Sequence, residues 1–288
     1  MPRGLIPRQP AKSGRHEGPS RPTGRIAQLA SRPKSGKRAE RVFVQPDLKA
    51  VASSKENPAK AKRYNPVAPE RVQEILKRLD QTYPGVTCAL QHSNAWELLV
   101  ATILSAQCTD VRVNMVTPEL FRKYPSVQAF AGLKAEELEP QIRSTGFFRN
   151  KSRSLVGAAK KIVSDYGGEV PDEMEKLLTI PGVARKTANV VLGTWFGKAD
   201  GVVVDTHVHR ISRRLELTRN DEPQKIELDL MAVIPQEKWI LFAHQIIWHG
   251  RKLCIARQPK CAECPLENIC HASDKTWSTV EIHKSAKP

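Results

Sequence analysis

Four cysteines crowded toward the end of this chain constrain what it can fold into more than any other feature. Cys254, Cys261, Cys264 and Cys270 stand with six, two and five residues between them. In a cytoplasmic protein, thiols that close in sequence mean a metal site far more often than disulfides. A four-cysteine zinc site usually pairs two C-x2-C knuckles across a long spacer. Here one knuckle stands with two separate cysteines, and that asymmetric loop suits a larger cubane cluster whose four irons each take one thiolate. Structural zinc stays open as the alternative. With either metal, binding affinity becomes folding free energy for the C-terminal loop, which Pro259 and Pro265 stiffen. Arg257 and Lys260 lie between the first two ligands, and two cations on a rigid loop make a candidate phosphate clamp. Without that role they are an ordinary solvated loop. Cys88 and Cys108 fall outside the cluster and read as buried thiols.

The rest of the folded part reads as helical. Pro69 opens a segment in which Val72, Ile75, Leu76 and Leu79 follow the spacing of one buried face. Asn94 followed by Glu97 reads as a capping box for the apolar run from Trp96 to Leu104. Asn150 is expected to cap a helix that ends near Gly167–Gly168. Further helices are expected over Asp172–Leu178, Ala184–Phe196, Asp205–Leu215, Pro223–Val233 and Gln236–Lys252. No stretch alternates with period two, and Val202–Val204 is too short to seed a sheet. The expected fold class is all-α. Trp195, Trp239 and Trp248 read as packing residues, and His244 and His249 as core or surface histidines.

Net charge is +16, but its location matters more than its size. Residues 1–65 hold 16 Lys and Arg against four acids, whereas the remaining residues carry 30 basic and 26 acidic side chains. The same segment has eight prolines and almost no apolar periodicity. It is expected to be a disordered basic tail, either a solubilising appendage or an arm that holds nucleic acid through phosphates. No apolar run approaches a bilayer span, and the N-terminus lacks the apolar stretch of a secretory signal. The chain reads as cytoplasmic.

Between two expected helices lies Leu178-Thr179-Ile180-Pro181-Gly182-Val183-Ala184-Arg185-Lys186. Pro181-Gly182 makes a tight turn whose N–H groups, with the start of the next helix, form a nest for an anion such as a phosphate. Alone, such a turn is usually only a turn. Lys186 raises its interest, because the helix dipole disfavours a cation in a first turn. Partial burial at that positive end would favour the neutral amine and free it as a nucleophile. Nineteen residues on, Asp205 follows the triplet Val202-Val203-Val204. It reads as an N-cap; paired with Lys186, it also reads as a carboxylate that stabilises positive charge on a reacting sugar or moves protons. The alternation Asp205-x-His207-x-His209 is not a metal triad, since residues two apart on a helix point to different faces.

Taken together, the turn from Ile180 to Lys186, the segment Val204-Asp205-Thr206-His207 and the cysteine loop resemble endonuclease III, the iron–sulfur branch of the helix-hairpin-helix DNA glycosylases. Leu104-Ser105-Ala106-Gln107-Cys108-Thr109-Asp110 and Thr145-Gly146-Phe147 match it as well, and the likeness runs from about Pro66 to Cys270. The resemblance implies two helical domains flanking a DNA-binding cleft. One, over 88–198, would be a six-helix barrel carrying the hairpin; the other would join 66–87 to 199–288 around a 4Fe-4S cluster. It implies an enzyme, a bifunctional DNA glycosylase and lyase, that excises oxidised pyrimidines. Lys186 would attack C1′ and form a Schiff base, Asp205 would assist, and β-elimination would cut the strand.

The same resemblance gives Pro181, Gly182, Val183, Ala184 and His207 to DNA binding. Gln107 would fill the gap left by the flipped nucleotide, with Phe147 as a wedge beside it; otherwise they are a helix-terminal polar residue and a loop aromatic tucked into the core. The partner would be double-stranded DNA with damaged bases or abasic sites, met by a monomer at the nucleoid. Two positions depart from the family pattern. Ala184 stands where the hairpin usually has a second glycine, so a methyl would crowd the phosphate. Phe147 stands where a smaller aliphatic residue is usual. Rival readings are a pyrimidine-dimer glycosylase, an adenine-mispair glycosylase and a non-catalytic iron–sulfur DNA-binding protein. The adenine-mispair enzyme lacks the lysine and bears a long C-terminal domain, whereas this chain stops eighteen residues after Cys270.

Overall fold

A computed structural model describes residues 64–276. The basic tail expected over 1–65 lies outside the described residues apart from Tyr64 and Asn65. Among the described residues the chain forms α-helices and short 3-10 turns, with no strand. In chain order the helices are α1 (Pro69–Thr82), α2 (Ala95–Ser105), α3 (Asp110–Lys123), α4 (Val127–Ala131), α5 (Ala135–Ile142) and α6 (Phe148–Tyr166). They continue with α7 (Met174–Leu178), α8 (Arg185–Thr194), α9 (Thr206–Arg214), α10 (Pro223–Val233) and α11 (Trp239–Lys252). No helix among the described residues is long and apolar enough to cross a membrane.

Two apolar cores form. The first is built around α2, which is buried on every side from Leu98 to Leu104, as a helix apolar all round must be. Phe130 of α4, Leu138 and Ile142 of α5, Leu155 and Ile162 of α6 and Leu192 of α8 close on it. The second gathers Ile75 and Leu79 of α1, Val208 and Ile211 of α9, Leu230 of α10 and Phe242 and Ile246 of α11. Each such buried side chain contributes roughly 1.5–3 kcal/mol relative to exposure.

Local signals account for most helix starts. Asn94 Oδ1 accepts the Glu97 N–H at 2.9 Å, and the Glu97 carboxylate reaches back to the Ser93 N–H at 2.6 Å. Pro69 and Pro223 sit in first turns, where the missing N–H costs nothing. Four expectations need correction. The sequence reading assigns no helix to α3, α4 or α5; α3 and α5 carry Pro118 and Pro140 in their interiors, which obscures their period. α6 starts at Phe148, with Phe147 and not Asn150 at the N-cap position. The segment Gln236–Lys252 opens as a 3-10 turn over Gln236–Lys238 before α11. Trp195 is 42% exposed and so is no core residue, whereas Trp239 is buried.

Candidate active site

The hairpin between α7 and α8 is shaped by its glycine. Gly182 has φ +80°, and a Cβ there would stand 2.6 Å from Ser154 Cβ of α6, so any side chain is both strained and blocked. The Val183 N–H is not free, as the turn was expected to leave it; it donates to the Ile180 carbonyl at 3.1 Å. The N–H groups of Gly182 and Ala184 have no acceptor among the described residues. Ala184 is exposed with φ −96° and ψ 169°, extended backbone open to any residue, so nothing in the chain's own geometry demands a second glycine there. α8 then begins with no side-chain cap and no acid in its first turn. Its free N–H groups, joined by Arg185 and Lys186, make a strongly positive end suited to an anion.

α8 is locked to the second core by a buried carboxylate. Glu227 of α10 accepts from Arg185 Nε at 2.9 Å, from Arg185 Nη2 at 3.1 Å and from Asn189 Nδ2 at 2.9 Å. Bidentate arginine–carboxylate pairing fixes direction as well as distance. The sequence reading did not single out Glu227; an acid on the inner face of α10 is its only signal.

Lys186 and Asp205 line the same cavity, of about 110 Å³, between α2, α8 and α11. Lys186 is exposed at its mouth, not partly buried as its sequence position suggested. Asp205 is half-buried and caps α9: its Oδ1 accepts the N–H groups of His207 and Val208, each at 2.8 Å. Oδ2 takes no hydrogen bond among the described residues. Asp110 of α3 and Arg251 of α11 meet at 2.5 Å on the same cavity wall. His244 lines it too, and burial pushes its imidazole pKa down, favouring the neutral ring. Cys88 is a half-buried wall residue here, and Cys108 is half-buried as well, so neither is the fully buried thiol expected. His207 is half-buried against Gly250, with Arg210 Nη2 3.3 Å from Nδ1; burial lowers its pKa.

Gln107 and Phe147 lie far apart in sequence yet border one groove, together with Gly182 of the hairpin. Both have left-handed backbone, with φ +53° and +47°, a conformation that costs a non-glycine residue about 1–2 kcal/mol. Both are exposed, Phe147 by 64%. Two strained, projecting side chains beside a nest of N–H groups are arranged to meet a ligand, not to fill a core.

The four cysteines Cys254, Cys261, Cys264 and Cys270 line a second, largely apolar cavity. Among the described residues no three His, Cys, Asp or Glu side chains stand close enough to hold a single ion. Sequence reasoning missed the groups that grip this loop. Arg214 of α9 donates to Cys254 Sγ at 3.2 Å and to the carbonyls of Ile255 and Ala256 at 2.8 and 3.1 Å. His249 of α11 is buried, with Nε2 3.6 Å from Cys264 Sγ and Nδ1 3.2 Å from the Tyr83 hydroxyl. Lys260 borders this cavity and Arg257 is exposed on the same loop.

Residues 100–236 match the family model described as HhH-GPD superfamily base excision DNA repair protein. The chain is 56% identical over 201 residues to endonuclease III of Synechocystis sp., covering 70% of this chain and 92% of that one. To endonuclease III of Bacillus subtilis it is 43% identical over 207 residues, covering 72% and 94%. Among solved structures it is similar to a non-covalent endonuclease III–DNA complex, with TM-score 0.68, 42% identity and coverage of 71% and 95%. It is equally similar, at TM-score 0.68 and 41% identity over 71% and 96%, to a trapped endonuclease III–DNA covalent intermediate.

Proposed function

The chain belongs to the endonuclease III family of base excision DNA repair proteins, and on that premise we propose that Lys186 is its nucleophile and Asp205 the carboxylate that assists it. It is a DNA-binding glycosylase and lyase of base excision repair. What carries the residue assignment is that Lys186 and Asp205, on different helices, line one cavity. In this reading the neutral Lys186 amine attacks C1′ of an extruded nucleotide, the bond to the base breaks, and the base leaves with a proton. The nitrogen lone pair then breaks the C1′–O4′ bond, and O4′ takes a proton as the sugar opens to the protonated imine; removal of a C2′ proton then expels the 3′ phosphate and cuts the strand. Asp205 keeps Oδ1 on the helix cap and turns Oδ2 to the reaction, opposing positive charge on the sugar or taking the amine's proton.

The DNA is held by complementary parts. Pro181, Gly182, Val183 and Ala184 present the hairpin to a phosphate, with His207 beside the cavity. Arg257 and Lys260 clamp phosphates from the cysteine loop. Gln107 and Phe147 occupy the space vacated in the stack, which offsets part of the few kcal/mol that extrusion costs. Substrates in this reading are oxidised pyrimidines and abasic sites in double-stranded DNA, met by a monomer in the cytoplasm at the nucleoid.

A 4Fe-4S cluster fits the cysteine cavity. Four sulfurs line it, the thiolate set that such a cluster takes. Burial pushes the Cys264 thiol up to about 12 and raises those of Cys254 and Cys270, so thiolates there call for a bound cation. Cys254, Cys261, Cys264 and Cys270 would hold the cluster, whose contribution is to fold the loop that carries Arg257 and Lys260. The two cores support a division into a six-helix barrel over 88–198 and a cluster domain joining 66–87 to 199–288.

A panel of duplexes separates this reading from its rivals. One oxidised pyrimidine should be excised and the strand nicked in turn. Preference for a pyrimidine dimer, or for adenine opposite oxidised guanine, would replace the substrate assignment.

A further inference from the structure

Lys151 of α6 is the buried charged group that the chemistry above leaves unused. It is only 5% exposed, and its Nζ donates to the Leu104 carbonyl at 2.8 Å and the Thr145 carbonyl at 2.7 Å. No carboxylate pairs with it among the described residues. Taking an ammonium out of water without a counter-ion is costly, and burial accordingly pulls its pKa down. A methionine of similar length would fill the same space without that cost.

The position of the two acceptors gives the lysine a purpose. Leu104 lies in the last turn of α2, three residues before Gln107, and Thr145 lies two residues before Phe147. Both tips that follow are left-handed, exposed and on the rim of one groove. Among the described residues, no hydrogen bond other than those of this lysine joins the two loops. The ammonium also sits at the negative end of α2, where a cation is favoured, and its second bond reaches beyond that helix to the other loop.

We infer that Lys151 is a positioning residue: its ammonium ties the Gln107 loop to the Phe147 loop so that both side chains are held ready to enter a duplex together. This rests on the reading that those two side chains occupy the gap left by an extruded nucleotide. Holding them in place beforehand spares the complex the ordering of two loops on binding. Extrusion from a duplex therefore depends on Lys151, whereas a single strand, with no stack to open, does not need it.

The test uses the full chain and Lys151→Met, with Lys151→Gln, which keeps one N–H donor, as a second variant should the first not fold. Opening is read from the fluorescence of 2-aminopurine placed opposite a tetrahydrofuran abasic analogue in a duplex. Chemistry is read separately, by borohydride trapping on a single-stranded abasic oligonucleotide. Loss of a charged hydrogen bond should weaken duplex opening roughly tenfold, with single-strand trapping unchanged. In a Gln107→Gly, Phe147→Gly background the substitution should add no further loss, as residues acting through one another do not add. Unchanged duplex opening, equal losses on both substrates, or a further full loss in the double-glycine background would each overturn the role of Lys151. If the double-glycine protein itself opens the duplex normally, the insertion reading fails and this inference falls with it.

Discussion

Asp205 caps α9, and under the proposed function it also assists the nucleophile; its two oxygens allow the two roles to be separated. Oδ1 receives both cap hydrogen bonds, from His207 and Val208, while Oδ2 takes none among the described residues and the side chain lines the cavity. Replacing it with alanine removes the cap, which costs about 1–2 kcal/mol. For a folded part of this size each kcal/mol shifts Tm by roughly 2–4 °C, so Asp205→Ala should melt about 2–8 °C lower. Asparagine caps nearly as well as aspartate and forfeits only the charge–dipole term of about 0.3–1 kcal/mol. Asp205→Asn should therefore melt within about 4 °C of the parent. Its single-turnover excision of an oxidised pyrimidine should nonetheless fall by about 10²–10⁴, the usual worth of a positioned proton-transfer group. Thermal melts and quench-flow excision on the three proteins read both quantities. If the asparagine variant kept its rate, Asp205 would be a helix cap and nothing more. If it lost as much stability as alanine, the assignment of separate duties to the two oxygens would fail.

Further outcomes follow from the site's supports. Glu227→Ala strands the Asn189 amide and frees Arg185, which is already two-fifths exposed and can rehydrate; a loss of about 2 kcal/mol is expected in urea unfolding, and a change below about 0.5 kcal/mol, the range of ordinary surface substitutions, would show that this carboxylate does not lock α8. Gly182→Ala forces a side chain onto φ +80° and toward Ser154, so duplex affinity should drop while the trapping rate at saturating DNA is kept; unchanged affinity would remove the hairpin from phosphate binding. Purified protein should be yellow-brown with about four irons per chain, and removing the iron should lower its melting temperature. A colourless protein carrying one zinc would reverse the reading of the cysteine cavity.

The all-helical fold and the meeting of Lys186 and Asp205 at one cavity were legible because each rests on a local signal. The caps at Asn94 and Asp205, the apolar face of α1 and the prolines at 69 and 223 act within a turn or two of their own residues. α3 and α5 were not legible: interior prolines mask their periodicity, and tertiary packing onto α2 and α6 overrides it. Phe147 could not be recognised as the start of α6, because a left-handed aromatic has no sequence signature. Lys151, Arg214 and Glu227 escaped for a common reason. Each is a charged residue whose partners lie 6 to 60 residues away on another element, and only the folded chain brings them together.

The most direct measurement is borohydride trapping on an abasic duplex, followed by peptide mapping of the cross-linked protein. The adduct should sit on Lys186 alone, and Lys186→Ala should bind the same duplex without forming it. An adduct on another amine, or one that persists in the alanine variant, would contradict the assignment of the nucleophile.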